Sequence, residues 1–314
     1  MAVTILIPVY GVEKYIKECA ESLFMQTYAY IEYIFCDDCT QDQSIDILNE
    51  VLRQHPSRCA HVRIIKNDRN LGLGGTRARL IREIQTEYFC IVDSDDILPA
   101  DAIEKLVRGI EKSGTDIFEG AYCRYGDGVL SSPLLPSHKK GRSYINQVLC
   151  RYKTSVQIWG KICKTDVIDR VPNLFIQGID VAEDICATSR LVGVATRAWT
   201  DDVVYWYRTD NDSSYTHSID NKARKSYYTA LSEILKFYQE RRQIPLSLEV
   251  GILNAYRDCA PDKFTIEEVD DIVGYKPKHV ICKIQYLLFH LRYVPKRLSD
   301  IAYKLLRNAV YYMS

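Results

Sequence analysis

Asp93, Asp95 and Asp96 place three carboxylates within four positions, directly after the apolar run Tyr88-Phe89-Cys90-Ile91-Val92. Removing even one unpaired carboxylate from water is costly. Three at the end of a buried strand call for a cation or a hydrogen-bonding ligand beside them. The carboxyl ends of strands in an open α/β sheet are where ligands bind. Asp93-Ser94-Asp95 therefore reads as a clamp for a divalent metal and a nucleotide diphosphate. It also reads as a polar turn and helix N-cap ahead of Pro99.

Other residues able to do chemistry fall at similar places. Asp37-Asp38 follows a second apolar run, and Pro8-Val9-Tyr10-Gly11 follows a first. Cys36 and Cys39 form a CxxC, but no second pair completes a zinc site, and the acidic spacers raise thiol pKa values rather than lower them. Glu183-Asp184 precedes a helical pattern, where it serves as an acidic first turn or as a catalytic pair.

The elements that must position these residues alternate over the first hundred positions. A continuous apolar run at 3–8 predicts a strand buried on both faces, a second apolar run at 31–36 another, and 62–66 and 88–92 a third and fourth. Helical spacing falls between them, with Val12, Tyr15, Ile16, Cys19, Ala20 and Leu23 on one face, then 44–52, then 76–85. This β-α-β-α-β-α-β order predicts an α/β fold with a mainly parallel sheet flanked by helices. A helix follows at 101–112, a strand at 116–122, a Gly/Ser/Pro-rich loop at 125–140, a helix at 143–152 and a strand at 197–207. From 221 the pattern is helical. The expected division is 1–220 as the catalytic domain and 221–314 as a helical region.

Composition narrows the class. The chain has 314 residues, 47% of them hydrophobic, with 41 Lys plus Arg against 41 Asp plus Glu. That balance points to no nucleic-acid partner. Eleven cysteines, many in apolar contexts, suit reduced thiols better than a disulfide framework. No secretory signal is visible and no apolar run reaches the roughly 18 residues of a membrane span, so the expected location is cytoplasmic.

Taken in order, Ile5-Leu6-Ile7-Pro8-Val9-Tyr10, Cys36-Asp37-Asp38-Cys39-Thr40, Asn70-Leu71-Gly72 with Ala78-Arg79, Val92-Asp93-Ser94-Asp95-Asp96, Trp159-Gly160-Lys161, Glu183-Asp184 and Tyr207-Arg208 through His217 resemble the family 2 glycosyltransferases. The resemblance covers residues 3–218. It implies an inverting enzyme of GT-A fold. It would move a sugar from a nucleotide-diphosphate donor, a UDP-sugar, to a saccharide or lipid-linked saccharide in cell-surface polysaccharide synthesis.

It also implies roles. Pro8, Val9 and Tyr10 would lie along the base, and Asp38 would accept from its edge. Asp93 would face the ribose with Ser94 beside it, and Arg79 would approach the diphosphate. Asp95 would ligate Mn²⁺ or Mg²⁺, with His217 completing the metal shell; all-oxygen ligation from the carboxylates suits these ions. Asp184 would be the general base, with Trp159, Lys161 and Glu183 on the acceptor side. Three positions depart from the pattern: Cys39 stands where glycine is common, Asp210 where a second arginine follows Tyr-Arg, and Gly72-Leu73-Gly74-Gly75 adds glycines. Those glycines lack GxGxxG spacing and do not follow the first strand, so a dinucleotide fingerprint is a poor reading.

Two rivals remain in view. A nucleotidyltransferase shares the acidic metal site but carries a basic Gly-rich loop after strand one, where this chain has Pro8-Val9-Tyr10-Gly11-Val12-Glu13. Against a catalytically inactive sugar-nucleotide-binding protein stand the intact Asp38, Asp93, Asp95 and Asp184. Residues 275–314 hold eight Lys or Arg and one acidic residue, Asp300. Interleaved with apolar positions, they read either as a peripheral contact with the inner face of the cytoplasmic membrane or as helices packed on an acidic body.

Overall fold

A computed structural model describes residues 1–150, 156–211, 220–257, 259, 264–290 and 296–312. The first hundred residues form β1 (Val3–Val9), α1 (Ile16–Phe24), β2 (Ile31–Asp37), α2 (Ser44–Gln54), β3 (Val62–Lys66), α3 (Gly72–Ile81) and β4 (Tyr88–Ile91). Then come α4 (Ala102–Ser113), β5 (Ile117–Gly126), β6 (Val129–Leu130), α5 (Gly141–Cys150), β7 (Lys161–Lys164), α6 (Val167–Arg170), α7 (Glu183–Leu191) and β8 (Arg197–Arg208). Helices α8 (Asn221–Glu240), α9 (Leu246–Arg257), α10 (Ile266–Val273), α11 (Val280–His290) and α12 (Lys296–Tyr312) complete the described chain.

The strands and α1–α4 and α6 cluster into one compact unit; α5 and α7–α12 cluster into a second. The helical unit therefore includes two elements that precede residue 220.

In the first unit the sheet runs β3-β2-β1-β4-β7-β5-β6, with β8 paired to β5. β3, β2, β1 and β4 are mutually parallel. The reason lies in the sequence. β1 is apolar throughout and buried at every position, so it takes the sheet centre with helices over both faces. β1 has β2 on one side and β4 on the other, so connections leave it in opposite directions. Such a switch point opens a crevice beyond the strand ends. Pairing of β1 with β4 stops at Leu6–Ile91, short of Pro8, which has no N–H to give. The core beneath the crevice is one cluster that includes Ile5, Ile7, Phe35, Tyr88, Val92 and Ile162.

Two expectations change. The third helix starts at Gly72 rather than 76 and ends at Ile81 rather than 85. A strand not read from the sequence, β7, lies antiparallel between β4 and β5.

The helical unit is built around α9, nine of whose twelve residues are buried, including Glu249. Glu249 is tolerated there because its carboxylate accepts from the backbone N–H of Lys278 and His279 and contacts the His279 ring. Gly251 lets α5 approach closely: a Cβ there would stand 1.9 Å from the Leu149 carbonyl oxygen. No helix among the described residues is long and apolar enough to cross a membrane.

Candidate active site

The ends of β1, β2 and β4 and the start of α3 form an open cleft lined by Pro8, Val9, Tyr10, Asp38, Leu73, Thr76, Asp93 and Ser94. Six of these were expected from the sequence; Leu73 and Thr76 were not. The parallel register brings them together. Asp38 N–H donates to the Val9 carbonyl and Val92 N–H to that of Leu6, so the three strand ends share one edge. Tyr10 is half exposed at the rim, while Asp38 and Ser94 are buried.

Asp38 starts α3. Its Oδ1 accepts from Leu71 N–H at 2.7 Å and Asn67 Nδ2 at 2.8 Å, and its Oδ2 accepts from Gly72 N–H at 3.0 Å. Two of the N–H groups that open a helix are thus satisfied by a carboxylate, which also suits the helix dipole. This is why the helix begins inside the glycine stretch. Gly72 has φ +74°, and a Cβ there would stand 2.3 Å from Asp180 Oδ1. A Cβ at Gly74 would stand 2.2 Å from the Ile179 carbonyl oxygen, and the Gly74 N–H donates to Asp180 Oδ1 at 3.2 Å. The glycines therefore serve close packing against residues 176–180. The CxxC is no redox pair: burial pushes the Cys36 thiol up to about 12, and both thiols donate to Asn67.

The arginine beside the carboxylates is Arg77, not Arg79. Arg77 is 1% exposed, and its guanidinium meets Asp93 Oδ1 at 2.6 Å. Arg79, two residues on, approaches Glu83 at 3.8 Å instead. Residues two apart on a helix do not share a face, so only one of the pair reaches the strand end. The expectation for Arg79 is corrected on that ground. Arg77→Met is expected to lower stability by about 3 kcal/mol, the low end for breaking a buried pair because Asp93 keeps some solvent access. Arg79→Met should change it by about 0.5 kcal/mol or less. Urea denaturation of both variants checks this; equal effects would contradict the assignment.

Each carboxylate of the cluster has different company. Asp96, 1% exposed, accepts from Tyr205 Oη–H and from Arg208 N–H, both at 2.7 Å. Burial, then the charges of Asp95 and Asp93, hold it well above the usual carboxylate range. Tyr205 Oη also accepts from Asp93 N–H at 3.1 Å, tying β8 to the end of β4. Arg208 Nε donates to the Asp95 carbonyl at 2.7 Å, its guanidinium pairs with Glu18, and the rings of Tyr15 and Tyr125 lie about it at 5.0 and 5.1 Å. Asp95 Oδ2 accepts from Asn211 Nδ2 at 2.7 Å. Its pKa is raised, first by burial and then by Asp93, with Asn211 and Arg208 opposing. Asp210, at the departure from the family pattern, accepts from Asp127 N–H and approaches Arg208.

The acceptor-side expectations for Trp159 and Lys161 are revised. A sugar-stacking wall needs an open ring face, but Trp159 is 7% exposed and stacks on Tyr205 with centroids 4.4 Å apart. It backs the tyrosine that orders Asp93 and Asp96. Lys161 is buried, and its ammonium meets Glu119 Oε2 at 2.7 Å, with Arg197 on the same carboxylate. Glu183 and Asp184 open α7 in the helical unit, Glu183 buried and Asp184 half-buried. Ala182 before them adopts φ +71°, an uncommon conformation for a residue with a side chain. His217 lies outside the described residues.

Among the described residues no group of three or more His, Cys, Asp or Glu converges as a metal cage.

A sheet switching direction at β1, with acidic strand ends around one cleft, is the arrangement of the GT-A fold. The family model "Glycosyl transferase family 2" matches residues 4–170, and the chain belongs to that family. Glycosyltransferase GlyA of Streptococcus pneumoniae is 28% identical over 183 residues, which is 54% of this chain but 25% of that protein. This chain thus spans about a quarter of GlyA's length. The uncharacterized glycosyltransferase EpsJ of Bacillus subtilis is 27% identical over 276 residues, covering 78% of this chain and 77% of that one. The solved structure of S. aureus TarS 1-349 in complex with UDP superimposes with TM-score 0.62 at 17% identity, covering 100% of this chain and 92% of that one.

Proposed function

We propose that this glycosyltransferase takes a sugar from a UDP-linked donor and passes it, with inversion, to a saccharide or lipid-linked saccharide in cell-surface polysaccharide synthesis. The observation that carries the donor half is the cleft between Pro8-Val9-Tyr10, Asp38 and Asp93-Ser94. The UDP held by TarS favours the same nucleotide. Residues 1–220 are proposed as the catalytic domain.

Each residue has a task in this reading. Tyr10 and Val9 flank the base. Asp38 uses three of its roughly four acceptor positions on the protein; the one left, on Oδ2, takes the N–H on the uracil edge. Asp93, fixed by Arg77 and Tyr205, faces the ribose with Ser94. Asp95 and Asp93 would hold a Mn²⁺ or Mg²⁺ ion, with His217 assigned to the same shell by resemblance. The fit rests on Asp95, whose charge is opposed by burial and by Asp93 and would be relieved by a dication. When bound, such an ion neutralises charge growing on the leaving diphosphate. Asp184 takes the acceptor hydroxyl proton as that oxygen attacks the anomeric carbon, with Glu183 beside it on the acceptor side.

Calorimetric titration with UDP, GDP, CDP and ADP, in Mn²⁺ and in EDTA, tests the donor site. UDP-selective heat that disappears in EDTA is expected. Metal-independent binding, or preference for another nucleotide, would remove the assignment.

A further inference from the structure

Helices α11 and α12 are apolar on two faces each. Inward, Cys282 and Gln285 of α11 and Tyr303, Leu306 and Val310 of α12 are buried. Gln285 Nε2 donates to the Ser299 carbonyl at 3.0 Å, and both helices pack on α9. Outward, Val280, Ile284 and Leu287 of α11 are 71%, 55% and 57% exposed, and Leu298, Ile301 and Leu305 of α12 are 59%, 47% and 66% exposed. Within each helix these residues are three, four or seven positions apart, so each set forms one stripe. Since both inner faces meet α9, both stripes point away from it. Six large apolar side chains at this exposure exceed the scattered singles normal on a soluble protein.

The charges identify what covers them. Lys276, Lys278, Lys283, Lys296 and Lys304 are exposed on or beside the two helices, and the only acidic residue from 275 to 314, Asp300, is half-buried. A surface apolar along its ridge and cationic at its margins matches the boundary between anionic headgroups and acyl chains. At 11 and 17 residues, α11 and α12 are too short to span a bilayer and suited to lying along one.

We propose that the outer faces of α11 and α12 dock this protein on an anionic lipid bilayer, with Ile284, Leu287, Ile301 and Leu305 entering the acyl boundary. This goes beyond the glycosyl-transfer reading and does not depend on it.

Flotation of the full chain with vesicles tests it. Equimolar phosphatidylcholine and phosphatidylglycerol vesicles are expected to carry the protein, and pure phosphatidylcholine vesicles to bind it about tenfold more weakly. Raising salt should weaken binding without abolishing it, because screening acts on the lysines and not on the apolar stripe. The triple variant Ile284→Glu, Leu287→Glu, Leu305→Glu should lose about tenfold or more, with its circular dichroism unchanged because all three side chains face solvent. The variant Lys283→Gln, Lys304→Gln, which keeps the apolar stripe, should lose about fivefold per lysine on anionic vesicles and nothing on neutral ones. The proposal is overturned if the wild-type chain fails to float with either vesicle, or if the triple variant floats as well as wild type. It is equally overturned if sedimentation finds a wild-type dimer that the triple variant dissociates, since a second copy would then cover the stripes.

Discussion

Asp95→Asn is expected to abolish metal-dependent UDP binding and, at the same time, to raise the melting temperature of the metal-free protein. Both effects come from how unevenly the three neighbouring carboxylates are compensated. Asp93 has the Arg77 guanidinium, and Asp96 has the Tyr205 hydroxyl and the Arg208 N–H. Asp95 has the neutral Asn211 amide, and its pKa is raised by burial and by Asp93. A carboxylate whose folded pKa exceeds its unfolded value binds more protons in the native state. Stability of the metal-free protein therefore falls as pH rises from the unfolded value of 3.8 through the raised folded one. Asparagine has no proton to lose, so the variant escapes that loss, and its Oδ1 still accepts from Asn211. The gain should appear as a higher melting temperature at neutral pH, where wild-type Asp95 is ionised without a dication. The same change removes the formal charge that a hard dication requires, so UDP affinity in Mn²⁺ should fall to its EDTA level. Thermal melts in EDTA and titrations in Mn²⁺ read the two effects separately. A variant that keeps metal-dependent UDP affinity would dismiss Asp95 as the metal carboxylate, and one that melts lower would show that its charge is compensated in the metal-free fold.

The same cluster shows where sequence reading reaches and where it stops. Strands β1, β2 and β4 were legible as largely apolar runs, the pattern of strands covered on both faces, and the edge strand β3, Val-Arg-Ile-Ile-Lys with no buried residue, from its place in the alternation. Their alternation with helices fixed a parallel sheet, and that alone brings Pro8, Asp38 and Asp93 to one edge. The carboxylates themselves were legible because charge at the end of such a strand is hard to explain otherwise. Their partners were not. Tyr205 and Arg208 stand more than a hundred positions from Asp96, and Asn211 is as remote from Asp95. Tyr207-Arg208 stood out as a motif, but nothing local says what an arginine there will meet. Arg77 was legible in principle. It lies five positions beyond Gly72, and the choice between it and Arg79 turns on where α3 begins.

That starting point was hidden for a physical reason. Three glycines between residues 72 and 75 read as a loop by intrinsic propensity. They are helical because Asp38 satisfies the opening N–H groups from another strand and because residues 176–180 pack where side chains would otherwise stand. Arg79 was singled out by the match of Ala78-Arg79 to the family pattern, whereas the helix start decides which arginine lies beside Asp93. β7 was missed on similar grounds: Lys-Ile-Cys-Lys has too few residues to show a period, and its strand state follows from pairing with β4 and β5. Trp159 and Lys161 just before and within it were read as an acceptor wall, when the strand turns both into the core.

Asp184→Asn is expected to reduce turnover by about 10²–10⁴-fold while leaving UDP affinity unchanged. Direct displacement at the anomeric carbon needs a base on the face opposite the leaving diphosphate, and the proposed mechanism gives that work to Asp184 alone. An amide of the same shape cannot accept the acceptor's proton. The fold should tolerate the change, because asparagine keeps the side chain's size and the first turn of α7 retains the acidic Glu183. Loss of one favourable charge at a helix N-terminus amounts to about 0.3–1 kcal/mol. Donor binding is assigned to strand-end residues and not to α7, so a titration with UDP and Mn²⁺ should match wild type. The variant should therefore separate kcat from donor affinity, whereas Asp95→Asn should lower both. The wild-type rate should fall on the acid side as the base is protonated, and the variant's residual rate should lose that limb. A turnover within about tenfold of wild type, or an acid limb that persists in the variant, would mean another group takes the proton.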